Sequence, residues 1–316
     1  MKFRRLGNSD LEISVIGLGT WAIGGVDGAW TWGEQDDQAS IDTIRYALDS
    51  GMNWIDTAPV YGLGHSEEVV GRALKGLSEK PLIFTKCSFT WDKDRAVSVS
   101  LAADTIRREV EDSLRRLQVE IIDLYQIHWP NPEPQIEEGW ETLAALKKEG
   151  KVRYIGLSNF DVPQMERMQN IAPITSLQPP YSAVKTGIEA EILPYCAAHN
   201  IGVIAYSPMQ AGLLTGKMSA DYIDSLHERD WRRRDPEFQA PRLAKNLKIA
   251  DEMQKIAAEL NVPTPVIPVA WVLRRPEVTG AIVGARRPDQ VDGFIQAGDL
   301  ELSDDHLQRL DALIQN

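Results

Sequence analysis

The sequence predicts a single (β/α)8 TIM barrel spanning residues 1–316, with an N-terminal β-hairpin and an extra C-terminal helix. Two observations carry this. Short apolar strands alternate with polar loops and amphipathic helices along the whole chain. No linker or shift in composition interrupts them, which suits one parallel barrel.

Taken in order, Phe3, Leu6, Leu11 and Ile13 alternate around a Gly7-Asn8 turn and suggest a small hairpin over 2–14. Barrel strands follow at 15–19, 53–56, 82–86, 121–127, 153–158, 174–178, 202–206 and 279–283. Helical stripes fill the gaps. They run Ile41-Ile44-Leu48, Val69-Val70-Ala73, Ile106-Val110-Leu114-Leu117, Trp140-Leu143-Leu146, Ile188-Ile192-Tyr195 and Leu247-Ala250-Met253-Ala257-Leu260. After the last strand, Pro288 suits a first helical position. Leu307, Leu310 and Leu313 give the terminal helix. Segment 209–242 reads as one long irregular connection, either a lid or a solvated loop.

A doubly wound dinucleotide-binding sheet is the rival. GLGTWAIGG at 17–25 supplies GxG but lacks the third glycine at the required offset, and a Gly- and Trp-rich stretch follows.

The bulk numbers exclude several functions. Hydrophobic content of 43% and charged content of 25% are those of a globular protein with a core. A net charge of −12 offers no basic excess for nucleic acid or an anionic membrane. No run of about 18 apolar residues could span a bilayer. Cys87 and Cys196 have no ligand-like spacing and read as reduced, buried thiols. Arg4 and Arg5 precede no apolar stretch, so they read as surface residues of a strand, and a cytoplasmic location is expected.

The chemistry concentrates in NWIDTAPVYGLGHSEE, 53–68. A strand ends in Asp56, a turn follows, and Tyr61 stands on a glycine-rich loop before a helix. Ser66 reads as its N-cap, with Glu67 and Glu68 in its first turn. Lys86 ends the next strand and His128 the one after. Active sites of such barrels lie at the C-terminal strand ends. Each residue alone has an ordinary structural use, as turn cap, wall, snorkelling cation or core imidazole. Together, consecutive strands present an acid, a phenol, a cation and an imidazole on one rim. An ammonium beside a phenol lowers its pKa from about 10, and a carboxylate keeps that ammonium charged. An imidazole can polarise a carbonyl oxygen as charge develops on it. This set suits carbonyl reduction and needs a hydride that side chains cannot supply. A Schiff-base lyase using Lys86 as nucleophile is a second reading.

These motifs, with FTK (84–86), IDLYQIHWP (122–130), GKVRYIGLSNF (150–160), AYSPM (205–209) and GARRPDQ (284–290), resemble the aldo-keto reductase family nearly end to end. The resemblance implies Tyr61 as proton donor, Lys86 with Asp56 as its tuner, and His128 as carbonyl orienter. It further implies nicotinamide carboxamide contacts from Ser158, Asn159 and Gln178, with Tyr206 stacking on the ring. Ser207, Met209, Gly212, Leu213 and Lys217 match the pyrophosphate side, Thr20 and Trp21 the sugar side, and Arg232 a residue closing over the cofactor. Gly284, Arg286 and Gln290 match the adenosine end. Arg286 and Arg287 precede a helix start, where positive charge is disfavoured, so an intervening 2′-phosphate is expected and NADP is preferred over NAD. Where the family often has Glu-Asn over the adenine, this chain has Gly293 and Phe294.

A small-molecule carbonyl or alcohol is the expected substrate. Trp21, Trp30, Trp32, Trp91, Trp129 and Trp231 fall near the predicted rim, which suits sugars, hydroxylated rings or aromatic aldehydes alike. The family also includes cofactor-holding regulatory subunits. A chain starting directly at the hairpin, with no extension to act on a partner, argues against that role.

Overall fold

In the computed structural model, residues 1–25, 32–228 and 230–315 are described. The hairpin pairs β1 (Phe3–Arg5) with β2 (Glu12–Ser14). Eight parallel strands then close a barrel: β3 (Ile16–Gly19), β4 (Trp54–Asp56), β5 (Leu82–Cys87), β8 (Ile122–Ile127), β9 (Val152–Ser158), β10 (Ser176–Gln178), β11 (Gly202–Ala205) and β12 (Val278–Gly284). β12 pairs with β3 to complete the ring. All eight expected strands are present, with ends shifted by up to two residues.

The period of two along each strand sorts side chains into two cores. Trp54, Phe84, Leu124, Ile204 and Ile282 fill the lumen together with Leu6, Leu11 and Ile13 of the hairpin segment, which plugs the bottom. The Trp54 and Phe84 rings lie 5.1 Å apart. Gly17 is obligatory here, because a Cβ would meet the Trp54 ring at 2.1 Å. One step above this apolar layer, β4, β5 and β8 carry Asp56, Lys86 and Gln126, and β10 adds Gln178. The outward residues pack against the helices, as Ile55, Ile127, Leu157, Leu177 and Val203 do.

The outer ring contains α1 (Asp37–Asp49), α2 (His65–Leu74), α3 (Ala103–Leu117), α4 (Ile136–Lys148), α5 (Val162–Gln169), α6 (Ile192–Ala198) and α7 (Ala220–Ser225), followed by α8 (Arg242–Glu259), α9 (Val266–Leu273), α10 (Pro288–Asp292) and α11 (Asp304–Ile314). Asp161 with Gln164 and Ser303 with His306 form capping boxes at α5 and α11.

Three sequence expectations need correction. Ser66 is not the N-cap of α2: Gly64 holds that position, and the buried Ser66 hydroxyl donates to the Thr20 carbonyl at 3.0 Å. Arg4 is half-buried rather than a surface residue, its guanidinium donating to the carbonyls of Leu273 and Val278. Segment 209–242 is not irregular. It holds α7 and several single helical turns around a small core of Leu213, Ile223 and Phe238. The sequence carries no helical stripe over α9, because all eight of its residues are buried, which erases any periodicity. The structure adds a second antiparallel hairpin, β6 (Phe89–Trp91) with β7 (Val97–Val99). No described helix is long and apolar enough to cross a membrane.

Candidate functional site

A cavity of about 1200 Å³ opens at the C-terminal ends of the barrel strands. Asp56, Tyr61 and His128 line it, while Lys86 lies fully buried just beneath. The loop carrying Tyr61 is pressed onto the helical turn Trp21–Ile23. Gly62, at φ +65°, allows this, since a Cβ there would meet the Gly24 oxygen at 1.9 Å.

The four residues singled out on consecutive strands do converge. Lys86 Nζ donates to Asp56 Oδ1 at 2.6 Å and to the Thr57 carbonyl at 2.9 Å. It lies 5.4 Å from the centre of the Tyr61 ring. The Tyr61 and His128 rings meet edge to face, 5.9 Å apart. Asp56 Oδ2 accepts from Gln178 Nε2 at 2.8 Å and from Gln126 Nε2 at 3.5 Å, so both of its oxygens are engaged.

Electrostatics here follow burial first. Burial, then the Asp56 carboxylate, raises the Tyr61 phenol well above its ordinary value. That reverses the expected lowering by Lys86, because loss of water penalises phenolate more than one nearby cation can offset. Burial also lowers the Lys86 ammonium, against the opposing pull of Asp56. The His128 imidazole is held well below its ordinary value by burial and then by Lys86. The resting site therefore presents a protonated phenol and a neutral imidazole. Lys86 lines no part of the cavity, which disfavours it as a Schiff-base nucleophile.

Further residues extend the cavity. Ser158 Oγ donates to the Gln178 carbonyl at 2.8 Å, and Asn159, at φ +64°, donates to the His128 carbonyl at 3.0 Å. Tyr206 donates to Asn159 Oδ1 at 2.9 Å, fixing its ring as a wall. Gln178 spends its amide protons on Asp56 and Gln126, leaving Oε1 to accept. Ser207, Met209, Gly212, Lys217, Gly284, Arg286 and Gln290 line the remainder. An elongated cavity with amide and hydroxyl groups near Tyr61 and two arginines at the far end fits a nicotinamide dinucleotide.

Some expected contacts differ. Leu213 points away from the cavity into its small core with Ile223 and Phe238. Thr20 lines the cavity, but its hydroxyl is committed to the Asp56 carbonyl at 3.2 Å and to Ser66. Gly293 and Phe294 both line the cavity, though Phe294 is only 2% exposed and packs largely in the outer core. Arg286 already serves the chain: Nε donates to Gln35 Oε1 at 2.6 Å, and the head also reaches the carbonyls of Trp32 and Glu34. Arg287 pairs with Asp289 at 3.0 Å on the surface.

Aromatic side chains form the mouth. Trp21 and Trp231 lie 5.7 Å apart, with Trp32 edge-on to both. Arg232 is clamped by Asp230 at 2.6 Å and sits over the Trp32 ring at 5.1 Å. Trp129 lines the cavity too, whereas Trp91 packs beneath Arg116 instead. Trp30 lies outside the described residues. Gln126 and Phe89 were missed by sequence reasoning. The period of two from Leu124 would have found Gln126, but nothing local marks Phe89, whose ring meets His128 edge-on at 5.2 Å.

A sequence profile described as the Aldo/keto reductase family matches residues 15–315. The chain is 38% identical to aldo-keto reductase YhdN of Bacillus subtilis, covering 100% of this chain and 94% of that protein. It is 37% identical to an NADH-specific methylglyoxal reductase of Escherichia coli, covering 96% and 95% respectively. Among solved structures, the glycerol dehydrogenase AKR11B4 from Gluconobacter oxydans superposes with a TM-score of 0.90 at 42% identity, covering 99% of this chain and 94% of that one.

Proposed function

Because the chain belongs to the aldo/keto reductase family, a group of oxidoreductases, we propose that it reduces small aldehydes or ketones to alcohols, with Tyr61 as the proton donor. The observation that carries this is one cavity containing a neutral phenol above a buried Lys86–Asp56 pair, an imidazole beside it, and a dinucleotide-sized extension.

A bound nicotinamide supplies the hydride. The chain's residues do the rest. Ser158, Asn159 and Gln178 would hold the carboxamide, and Tyr206 would support the ring. His128, uncharged, donates from one ring nitrogen to the carbonyl oxygen and orients it. Tyr61 gives its proton to that oxygen as negative charge develops there. The phenolate left behind faces the Lys86 ammonium, whose charge Asp56 secures. Burial makes Tyr61 a weak acid at rest, so the transfer is favourable only once an alkoxide-like oxygen forms.

NADP(H) is the preferred cofactor in this reading, with NAD(H) a usable second. Arg286 is disfavoured by burial and by the neighbouring Arg287 charge, and a 2′-phosphate between them would relieve both. One relative is named NADH-specific, so both cofactors belong in the test. A panel of aldehydes, ketones and sugars, followed by NADPH and NADH absorbance, decides the proposal. Turnover of several small carbonyls is expected. Full cofactor binding with no turnover of any would favour a cofactor-holding sensor instead.

A further inference from the structure

Ser88 joins two parts of the site. It lies two residues beyond Lys86, where the chain leaves β5 for the β6–β7 hairpin. Its φ is +98°, a conformation that side-chain-bearing residues rarely adopt. Three contacts surround this turn. The Ser88 amide donates to Glu109 Oε2 at 3.2 Å, Ser88 O accepts from Ser100 N at 3.1 Å, and Cys87 O accepts from His128 N at 3.2 Å. The next residue, Phe89, packs its ring edge-on against His128.

Glu109 reaches this turn from α3, behind the barrel wall, and does not line the cavity. It is 7% exposed, and its Oε1 is buried without a hydrogen-bond partner among the described residues. Burial pushes its carboxyl up to about 8, with Glu67, Arg116, Cys87 and Tyr125 as its titratable neighbours. A carboxyl so poorly compensated is a costly choice for packing alone. What an apolar residue could not supply is an acceptor for the Ser88 amide.

We propose that Glu109 is a positioning residue for carbonyl reduction, clamping the left-handed turn at Ser88 and so holding Phe89 against His128. This rests on the reading of His128 as the carbonyl orienter. The residues assigned to the nicotinamide lie at the ends of β9, β10 and β11, and neither Glu109 nor Ser88 bonds to any of them, so loss of the clamp is expected to leave cofactor affinity nearly unchanged. The step from Glu109 to the reacting carbonyl passes through Ser88, Phe89 and His128 in turn.

The test compares Glu109→Ala, Ser88→Gly and their combination. Glu109→Ala is expected to lower kcat about 10- to 100-fold, the scale of a small displacement at a reacting centre, with cofactor Kd nearly unchanged. Amide exchange across 89–99 is expected to quicken. Adding Ser88→Gly restores kcat, because glycine adopts positive φ without steric cost. Glu109→Gln keeps a neutral acceptor and stays close to wild type. Ser88→Val, which strains the same turn with Glu109 intact, reproduces the kcat loss and serves should Glu109→Ala not fold. Full kcat in Glu109→Ala, or a loss that Ser88→Gly leaves untouched, overturns the clamp. A wild-type protein inert towards carbonyls would refute the proposed function, while the exchange measurement still decides the clamp.

Discussion

Lys86 Nζ sits 2.6 Å from Asp56 Oδ1, and both side chains are at most 3% exposed. Removing water from two charges is expensive, and the cost is recovered only when both are fully satisfied. Here the carboxylate also accepts from Gln178 and Gln126, and the ammonium also donates to the Thr57 carbonyl. The pair is thus built into the barrel rather than laid on its rim.

Asp56→Asn removes one charge and strands the other. Breaking a buried pair costs about 3–5 kcal/mol, and loss of a proton from Lys86 would reduce that penalty. Chemical denaturation is expected to give a loss of this order, with carbonyl reduction also impaired. A variant as stable as wild type would mean that the pair does not hold the lumen together.

His128 is expected to stay uncharged throughout the working range. Its folded pKa is depressed by burial and by Lys86, so the unfolded chain binds the proton more readily. Stability that is full above the unfolded value of about 6.5 is therefore eroded as pH falls through it. The profile of kcat/KM should carry no inflection near 6.5. A clear step there, abolished by His128→Gln, would show an imidazole that titrates in the free enzyme.

Arg286→Ala is expected to weaken NADPH by about tenfold or more relative to NADH, the scale of a lost charge-assisted contact. The ratio matters because Arg286 also ties down Gln35 and the Trp32 and Glu34 carbonyls, so both cofactors can lose affinity together. Equal losses in isothermal titration would assign Arg286 to that tether alone.

Much of this site was legible because strands have a period of two and end where chemistry begins. Asp56, Lys86 and His128 were readable as the polar residues closing apolar runs, and Tyr61 as the phenol on the adjoining glycine loop. The eight strands were readable for the same reason. Directions of pKa shift were not, because they depend on how much water the folded barrel excludes from Tyr61. Leu213 looked like a cofactor contact in register, yet the chain turns at Gly212, φ +90°, and buries it. Phe89 and Glu109 carry no local signal, since their meaning arises only when α3 and β8 pack against the same turn. The internal partners of Arg286 come from residues some 250 positions away, beyond any local pattern.

The central claim is that Tyr61 delivers the proton. Single-turnover reduction by Tyr61→Phe, with NADPH binding followed in parallel, tests it most directly. General acid catalysis is worth about 10²- to 10⁴-fold, so a rate loss of that size with cofactor affinity nearly unchanged is expected. A variant that reduces the carbonyl at the wild-type rate would remove Tyr61 from the chemistry and contradict the account.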